Sequence, residues 1–139
     1  MEEDKVLLPT AGLLVIEDGK LLLAYSAHKQ AWYLPGGKID GKETSREAMI
    51  REIGEELNIK LKDELLSYYC HITAQAYGEE ENVIMEQDCF LYHLQEEVIP
   101  GHEIKAVRFF SYAEYMQEEV QVIGVLKVFE RLKQDGYLL

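Results

Sequence analysis

Three glutamates, Glu52, Glu55 and Glu56, occupy positions i, i+3 and i+4 of one apolar-periodic stretch. On a helix their carboxylates would project within a sector of about 100°, beside an apolar stripe that contains Ile53 and Leu57. Carboxylate oxygens suit hard divalent cations, and Mg²⁺ typically combines one or two protein carboxylates with waters and substrate phosphates. The triplet therefore favours metal-assisted phosphate chemistry, with a solvated acidic helix face as the alternative.

The acidic triplet belongs to a longer pattern that begins at a glycine pair and ends at an aliphatic residue. Its members are Gly37, Glu43, Arg51-Glu52, Ile53, Glu55-Glu56 and Ile59. This register resembles the Nudix box, and its single departure is Asn58, which stands where the family has glycine. Asparagine enters the left-handed region more readily than most residues, so it can still end the helix.

The resemblance implies a hydrolase that cleaves a nucleoside diphosphate linked to another moiety, with Mg²⁺ or Mn²⁺ as cofactor and water attacking phosphorus. It implies Glu52 and Glu56 as the main metal ligands, with Glu55 sharing an ion or binding a further one. The carbonyl of Gly36 would be an additional ligand. The number of ions and the nucleotide stay open.

Other residues receive roles from the same resemblance. Arg51 would orient the glutamates, with Glu43 as its partner across the loop. The general base varies within the family, and here Glu52 and Glu103 are both candidates. Glu103 lies in a loop before a short apolar run, where a solvated glutamate is the ordinary alternative.

Candidates for binding the substrate lie on both sides of the pattern. An aromatic platform suits a base or leaving group, and Trp32 and Tyr77 could supply it, although both could equally belong to the core. His28 could meet a phosphate, and Lys38 of the box loop is a further candidate for substrate binding.

The first half of the chain predicts the elements that would position this loop. Apolar runs at residues 11–16 and 20–25 flank Asp18-Gly19, a strong hairpin signal because the turn needs positive φ. Residues 31–34 predict a short strand, and Pro35-Gly36-Gly37 is expected to stop any regular element. Thr44 or Ser45 would then cap a helix that ends near residues 57–58.

The second half predicts more strands and a closing helix. Residues 65–77 and 83–94 resemble two long strands around an acidic turn, and residues 106–110 another short strand. Helical spacing runs from 112 to 133, where Asp135-Gly136 ends it. These elements predict an α+β fold, a Nudix-type α/β/α sandwich with a mixed sheet and two main helices, in a single domain over residues 1–139.

Composition excludes several classes of protein. The 139 residues carry 14 Lys plus Arg against 26 Asp plus Glu, a net charge of −12. This excess disfavours binding to polymeric nucleic acid. No apolar run is long enough to span a bilayer, and the acidic residues 1–4 are unlike a signal peptide, so we expect no membrane partner and a cytoplasmic location. Cys70 and Cys89 are expected to be buried, reduced thiols.

Three functional hypotheses follow. The leading one is a metal-dependent diphosphohydrolase that acts on a nucleoside triphosphate or a related small nucleotide. The second is a catalytically silent module of the same fold that senses a nucleotide, against which the intact glutamate set counts. The third is an acidic protein whose helix binds calcium or a basic partner. A homodimer is possible because family members often dimerise.

Overall fold

Eight strands and three helices form the fold in the computed structural model, which describes residues 4–138. The expectation drawn from residues 1–4 lies outside it except at Asp4. The strands are β1 Val6–Leu14, β2 Ile16–Glu17, β3 Lys20–Ser26, β4 Ala31–Tyr33, β5 Gly36–Lys38, β6 Ser67–Gln75, β7 Val83–Leu91 and β8 Ile104–Phe110. The helices are α1 Ser45–Leu57, α2 Tyr112–Tyr115 and α3 Ile123–Gln134, with a 3₁₀ turn at Asp63–Leu65.

The strands form two sheets. The first has the order β5-β1-β7-β6, in which β1 pairs with β7 in parallel and the other pairs are antiparallel. In the second, β3 pairs antiparallel with β2, β4 and β8. The mixed sheet predicted from the sequence is therefore confirmed.

Neighbouring residues of β1 face two different core clusters. Leu13 is fully buried in a cluster that includes Ile53 of α1, whereas Leu14 is fully buried in a cluster that includes Val128 of α3. Because successive side chains of a strand point to opposite faces, α1 and α3 cover opposite sides of the sheet. This arrangement is the expected α/β/α sandwich.

The hairpin signal is confirmed, but the strand before it is divided. Asp18 and Gly19 both have positive φ, at 51° and 74°, as a tight two-residue hairpin turn requires. Residues 11–16 were expected to form one strand, yet β1 ends at Leu14 and β2 begins at Ile16. Between them the Val15 carbonyl accepts a hydrogen bond from Leu22 N at 2.9 Å, which carries the chain into the second sheet.

Helix α1 begins and ends as its sequence predicts. The Thr44 hydroxyl accepts a hydrogen bond from Glu47 N at 3.1 Å, and the Glu47 carboxylate accepts one from Thr44 N at 2.9 Å. This reciprocal capping box satisfies two donors of the first turn. At the other end Asn58 adopts the left-handed conformation, with φ 56° and ψ 38°.

Two predictions about regular structure are wrong. Pro35-Gly36-Gly37 does not stop regular structure, because Gly36–Lys38 pairs with β1 as strand β5. The helix expected over 112–133 is broken into α2 and α3. The buried Tyr115 hydroxyl accepts a hydrogen bond from Val122 N at 2.9 Å and donates one to the Trp32 carbonyl at 3.2 Å. These contacts hold residues 116–122 in a non-helical conformation, although the spacing of their apolar residues is that of a helix.

Cys70 and Cys89 are both buried free thiols on neighbouring strands, as expected.

Within residues 4–138, no helix is both long and apolar enough to cross a membrane.

Candidate active site

Strand β5 places its two glycines directly against the acidic face of α1. A Cβ on Gly37 would lie 2.6 Å from the Glu52 carboxyl carbon, and a Cβ on Gly36 would lie 2.1 Å from the Ala11 carbonyl oxygen. Gly36 also has φ +140°, which side chains rarely adopt. Only glycine therefore allows the loop, the sheet and the carboxylates of α1 to approach this closely.

Glu56 is the most buried of the three glutamates. One of its oxygens accepts a hydrogen bond from Gly36 N at 2.8 Å. Burial nevertheless raises the pKa of Glu56, and the charges of Glu52, Glu103 and Glu55 add to this effect. With the Gly36 N–H acting in the opposite direction, the pKa rises from 4.5 to about 8. Within residues 4–138, the Glu56 carboxylate takes part in no ion pair, unlike Glu43, Glu52 and Glu55, which contact Arg51.

Glu52 and Glu55 share one cationic partner. Arg51 Nη1 lies 2.9 Å from Glu52 Oε1 and 3.5 Å from Glu55 Oε1. Burial still raises the pKa of Glu52 above its ordinary value, with Arg51 acting in the opposite direction. The arginine thus neutralises the outer part of the acidic face and leaves the inner part, at Glu56, uncompensated.

Arg51 also fastens the box loop to α1. Its Nε donates to Glu43 Oε2 at 2.7 Å and its Nη2 to Glu43 Oε1 at 2.9 Å, which is bidentate geometry. The same Nη2 donates to the Lys38 carbonyl at 3.1 Å. The hydrogen bond from Arg51 lowers the pKa of Glu43 to about 2. The pairing of Arg51 with Glu43 expected from the sequence is present in this structure.

The residues fit a hard divalent cation by their chemistry. Among residues 4–138, no group of three His, Cys, Asp or Glu side chains converges as a ready-made cage for a metal. Mg²⁺ needs no such cage, because it is usually held by one or two carboxylates together with waters and substrate phosphates. Glu52 and Glu56 supply oxygen donors, and a cation beside Glu56 would offset the burial and the neighbouring negative charges that raise the pKa of this residue.

A cavity of about 320 Å³ opens beside this acidic face. Glu56 and Glu103 lie on its wall, together with the backbone of Gly36 and Gly37. Its volume is near the lower end of the range of about 300–1,000 Å³ for small-molecule sites. The cavity therefore adjoins two of the candidate metal ligands, Glu56 and Gly36, whereas Glu52 and Glu55 are not among its lining residues.

Three of the four substrate-binding candidates line this cavity. They are His28, Lys38 and Tyr77. The fourth, Trp32, packs elsewhere, in edge-on contacts with Tyr25 at 5.3 Å and Phe110 at 4.9 Å between ring centroids. The structure thus groups all but Trp32 beside Glu56.

Thr10, Tyr33 and Gln87 also line the cavity, in addition to the three candidates named above. Thr10 is 7% and Gln87 8% exposed, and the two are register partners on β1 and β7. Within the described chain, the buried Thr10 hydroxyl and Tyr33 hydroxyl have no hydrogen-bond partner. Unpaired polar atoms in a buried wall are unusual, and they are suited to meet a polar ligand. In the alternating pattern of β7, Gln87 shares a face with Met85 and Cys89, and a glutamine on this apolar face was the available sequence signal.

Lys29 ties two turns together at the cavity. Its ammonium donates to the Tyr77 carbonyl at 2.9 Å and lies 3.5 Å from Glu79 Oε2. These contacts join the turn after β3 to the turn after β6. Tyr77 is thereby held against Tyr33, with 6.2 Å between the ring centroids.

The loop before β8 brings Glu103 to the same wall. Gly101 N donates to the Glu56 carbonyl at 2.8 Å, and Ala27 N donates to the Glu103 carbonyl at 2.9 Å. Among residues 4–138, the Glu103 side chain takes part in no ion pair. Its carboxylate is therefore available to the cavity, whereas that of Glu52 is engaged by Arg51.

Comparisons with known proteins identify the family of this chain. The NUDIX domain family model matches residues 6–132. A solved structure, a MutT protein from Methanosarcina mazei Go1, is similar with a TM-score of 0.77 at 20% identity, over 96% of this chain and 98% of that one. At this identity the likeness shows the fold.

Sequence relatives match over a shorter stretch. A MutT-like protein from Streptomyces ambofaciens is 41% identical over 64 residues, which is 45% of this chain and 42% of the relative. An RNA pyrophosphohydrolase from Stutzerimonas stutzeri is 36% identical over 56 residues, which is 40% of this chain and 35% of the relative. The chain thus matches less than half the length of these relatives.

Proposed function

This chain belongs to the NUDIX family, and we propose that it is a hydrolase that cleaves the diphosphate bond of a small nucleotide with the help of Mg²⁺ or Mn²⁺. The observation that carries the proposal is the cavity shared by Glu56, Glu103 and the unpaired hydroxyls of Thr10 and Tyr33. The cavity offers carboxylates that could hold a cation beside a phosphate, and polar groups that could bind the remainder of the ligand.

Each group near the acidic face of α1 has a role that its position supports. Glu56 and Glu52 would hold the cation, with Glu55 and the Gly36 carbonyl as further donors. When bound, such an ion neutralises phosphate charge and acidifies water. Arg51 and Glu43 keep the box loop on α1, so that Gly36 and Gly37 stay against the carboxylates. Lys38 and His28 lie on the wall where a phosphate chain would run.

Glu103 is the better placed of the two candidate bases. Its carboxylate lies on the cavity wall near Glu56, and the Glu52 carboxylate accepts a hydrogen bond from Arg51 at 2.9 Å. A base must reach the water that it deprotonates, so the unengaged carboxylate is favoured. In this scheme Glu103 takes a proton from water as the oxygen bonds to phosphorus and the diphosphate bridge breaks.

The remaining lining residues of the cavity support a free nucleotide as substrate. Tyr33 and Tyr77 offer aromatic surface, and Thr10 and Gln87 offer hydrogen bonds to a polar heterocycle. The cavity volume of about 320 Å³ suits one nucleotide. The net charge of −12 disfavours a long polyanion. We therefore place a nucleoside triphosphate or similar small nucleotide ahead of an RNA end, despite the name of one relative.

A panel of nucleotides with a metal titration tests the proposal. Release of phosphate or pyrophosphate should require Mg²⁺ or Mn²⁺ and should fall by about a hundredfold or more in Glu56→Gln. Glu130→Gln, at an exposed glutamate on α3, is the matched control and should retain full activity. Tight nucleotide binding without turnover would instead identify a nucleotide-sensing module, and absence of both binding and turnover would refute the proposal.

A further inference from the structure

Asn58, the residue that departs from the Nudix box, contacts a distant loop. Its backbone occupies the left-handed conformation for which glycine is the usual choice. Its side chain does what glycine cannot, because Nδ2 donates to the Ile99 carbonyl at 2.6 Å. The departure therefore adds a tie between the end of α1 and the segment before β8.

The same loop also forms hydrogen bonds with backbone carbonyls at the end of α1. Ile99 N donates to the Leu57 carbonyl at 3.0 Å, and Gly101 N donates to the Glu56 carbonyl at 2.8 Å. The last carbonyls of a helix have no partner within the helix, and the N–H groups of this loop supply hydrogen-bond donors for two of them. The loop is thus docked on the backbone of Glu56, which also presents the buried carboxylate of the site.

Gly101 makes this close docking possible. A Cβ at position 101 would lie 2.8 Å from the Glu55 carbonyl oxygen and 3.1 Å from Asn58 Nδ2. A backbone oxygen cannot move away cheaply, so a side chain here would lift the loop from the helix. Asn58 and Gly101 are therefore two parts of one contact, which we call the loop clamp.

Gly101, the loop residue of the clamp, lies two residues before Glu103 in sequence. On the other side of Glu103, its carbonyl is held by Ala27 N at 2.9 Å. With both flanks attached, the position of the carboxylate on the cavity wall near Glu56 is set by these contacts.

We propose that Asn58 is a positioning residue that, through the loop clamp, holds Glu103 in its working position against Glu56. The catalytic part of this inference rests on the proposed function, whereas the structural part does not. Asn58 acts through Glu103 and touches no reacting atom. A family glycine at position 58 would end the helix equally well and would leave the loop less firmly held.

The test variant is Asn58→Gly, which keeps the left-handed backbone free of strain and should fold normally. Hydrogen exchange in the absence of nucleotide should become about three- to tenfold faster at the amides of Ile99 and Gly101, which donate to carbonyls of α1, as expected for loss of one hydrogen bond. Exchange should be unchanged in α3. Gly101→Ala is the second variant and should give the same local acceleration. Unchanged exchange at these two amides in both variants would overturn the proposal.

A double-variant cycle tests whether the clamp acts through Glu103. Asn58→Gly alone should lower kcat about tenfold with KM changed less than twofold, and it should have no further effect in a Glu103→Gln background. Independent, multiplicative losses would contradict the positioning role. If the wild-type chain hydrolyses no nucleotide, the proposed function fails, and the exchange experiment still decides whether Asn58 fastens the loop.

Discussion

Thr10 and Gln87 are register partners across the parallel strands β1 and β7, and both side chains are more than nine-tenths buried on the cavity wall. Gln87 also lies over Gly12, where a Cβ would come within 3.0 Å of its amide nitrogen. The chain thus keeps space for an amide in a wall that is otherwise largely apolar. Such a pair stabilises the free protein little and is suited to hold a ligand.

The first prediction concerns Thr10→Val. The Thr10 hydroxyl has no partner among the described residues, so its removal should raise the free energy of unfolding by about 1 kcal/mol. The same change should weaken nucleotide binding about three- to tenfold, since a hydrogen bond to the ligand is lost. Thermal melting and isothermal titration calorimetry with nucleoside monophosphates measure the two effects.

Thr73→Val is the matched control for this change. The Thr73 hydroxyl is exposed and donates to Glu86 Oε2 at 2.7 Å, outside the cavity. This variant should leave nucleotide affinity unchanged. Equal affinity of wild type and Thr10→Val for every nucleotide would remove Thr10 from the binding wall.

The second prediction concerns Arg51→Lys. A lysine keeps the positive charge but cannot make the two parallel hydrogen bonds to Glu43. The box loop should loosen, and kcat/KM for the best nucleotide should fall about tenfold to a hundredfold. Arg46 also lies on α1, and it forms an exposed ion pair with Asp63 of the 3₁₀ turn. Arg46→Lys should therefore have little effect. Similar kinetics for the two variants would mean that bidentate pairing at Arg51 is dispensable.

The third prediction is a pH dependence of stability in metal-free protein. Burial raises the pKa of Glu56 from 4.5 to about 8, so the folded state holds a proton there that the unfolded state releases. The contribution of Glu56 to stability should therefore be full below pH 4.5 and decline as the pH rises to about 8. The loss should amount to about 2–5 kcal/mol.

Urea unfolding in EDTA between pH 5 and pH 9, at about one-unit steps, measures this decline. His71, between Glu86 and Asp88, has a raised pKa and adds a slope of the same sign. The informative quantity is therefore the difference between wild type and Glu56→Gln, in which the contribution of His71 cancels. A difference that does not change with pH would show that Glu56 titrates normally.

The fourth prediction concerns the break between α2 and α3. Tyr115→Phe removes the hydroxyl that accepts from Val122 N and donates to the Trp32 carbonyl. Two buried backbone groups lose their partner, so the free energy of unfolding should fall by about 1–3 kcal/mol. Tyr112→Phe is the control, because Tyr112 is 45% exposed, and it should change stability by less than about 0.5 kcal/mol. Comparable losses in both variants would argue against this role of Tyr115.

Local signals account for the parts of the fold that the sequence predicts well. The capping box at Thr44, the left-handed cap at Asn58 and the Asp18-Gly19 hairpin each depend on residues close together in the chain. The acidic face of α1 follows from the same short-range periodicity. The pairing of Glu43 with Arg51 was implied by the resemblance to the Nudix box, in which both residues lie.

Features that depend on distant contacts could not be predicted in this way. Gly36 joins a strand because β1 supplies a partner edge, and α2 ends because Tyr115 reaches Val122 and Trp32. Thr10 and Gln87 become cavity residues only when β1 and β7 pair. In each case the tertiary environment outweighs a local preference.

The parallel pairing of β1 with β7 also governs when the molecule can assemble during its synthesis. Val6 pairs with Val83 and Leu14 with Leu91, so most of the polypeptide must be made before either edge finds its neighbour. Pairings of such long sequence separation are slow to form, because loop closure precedes the stabilising contacts. Until residue 91 has left the ribosome, β1 lacks this neighbour, and the cavity wall cannot form.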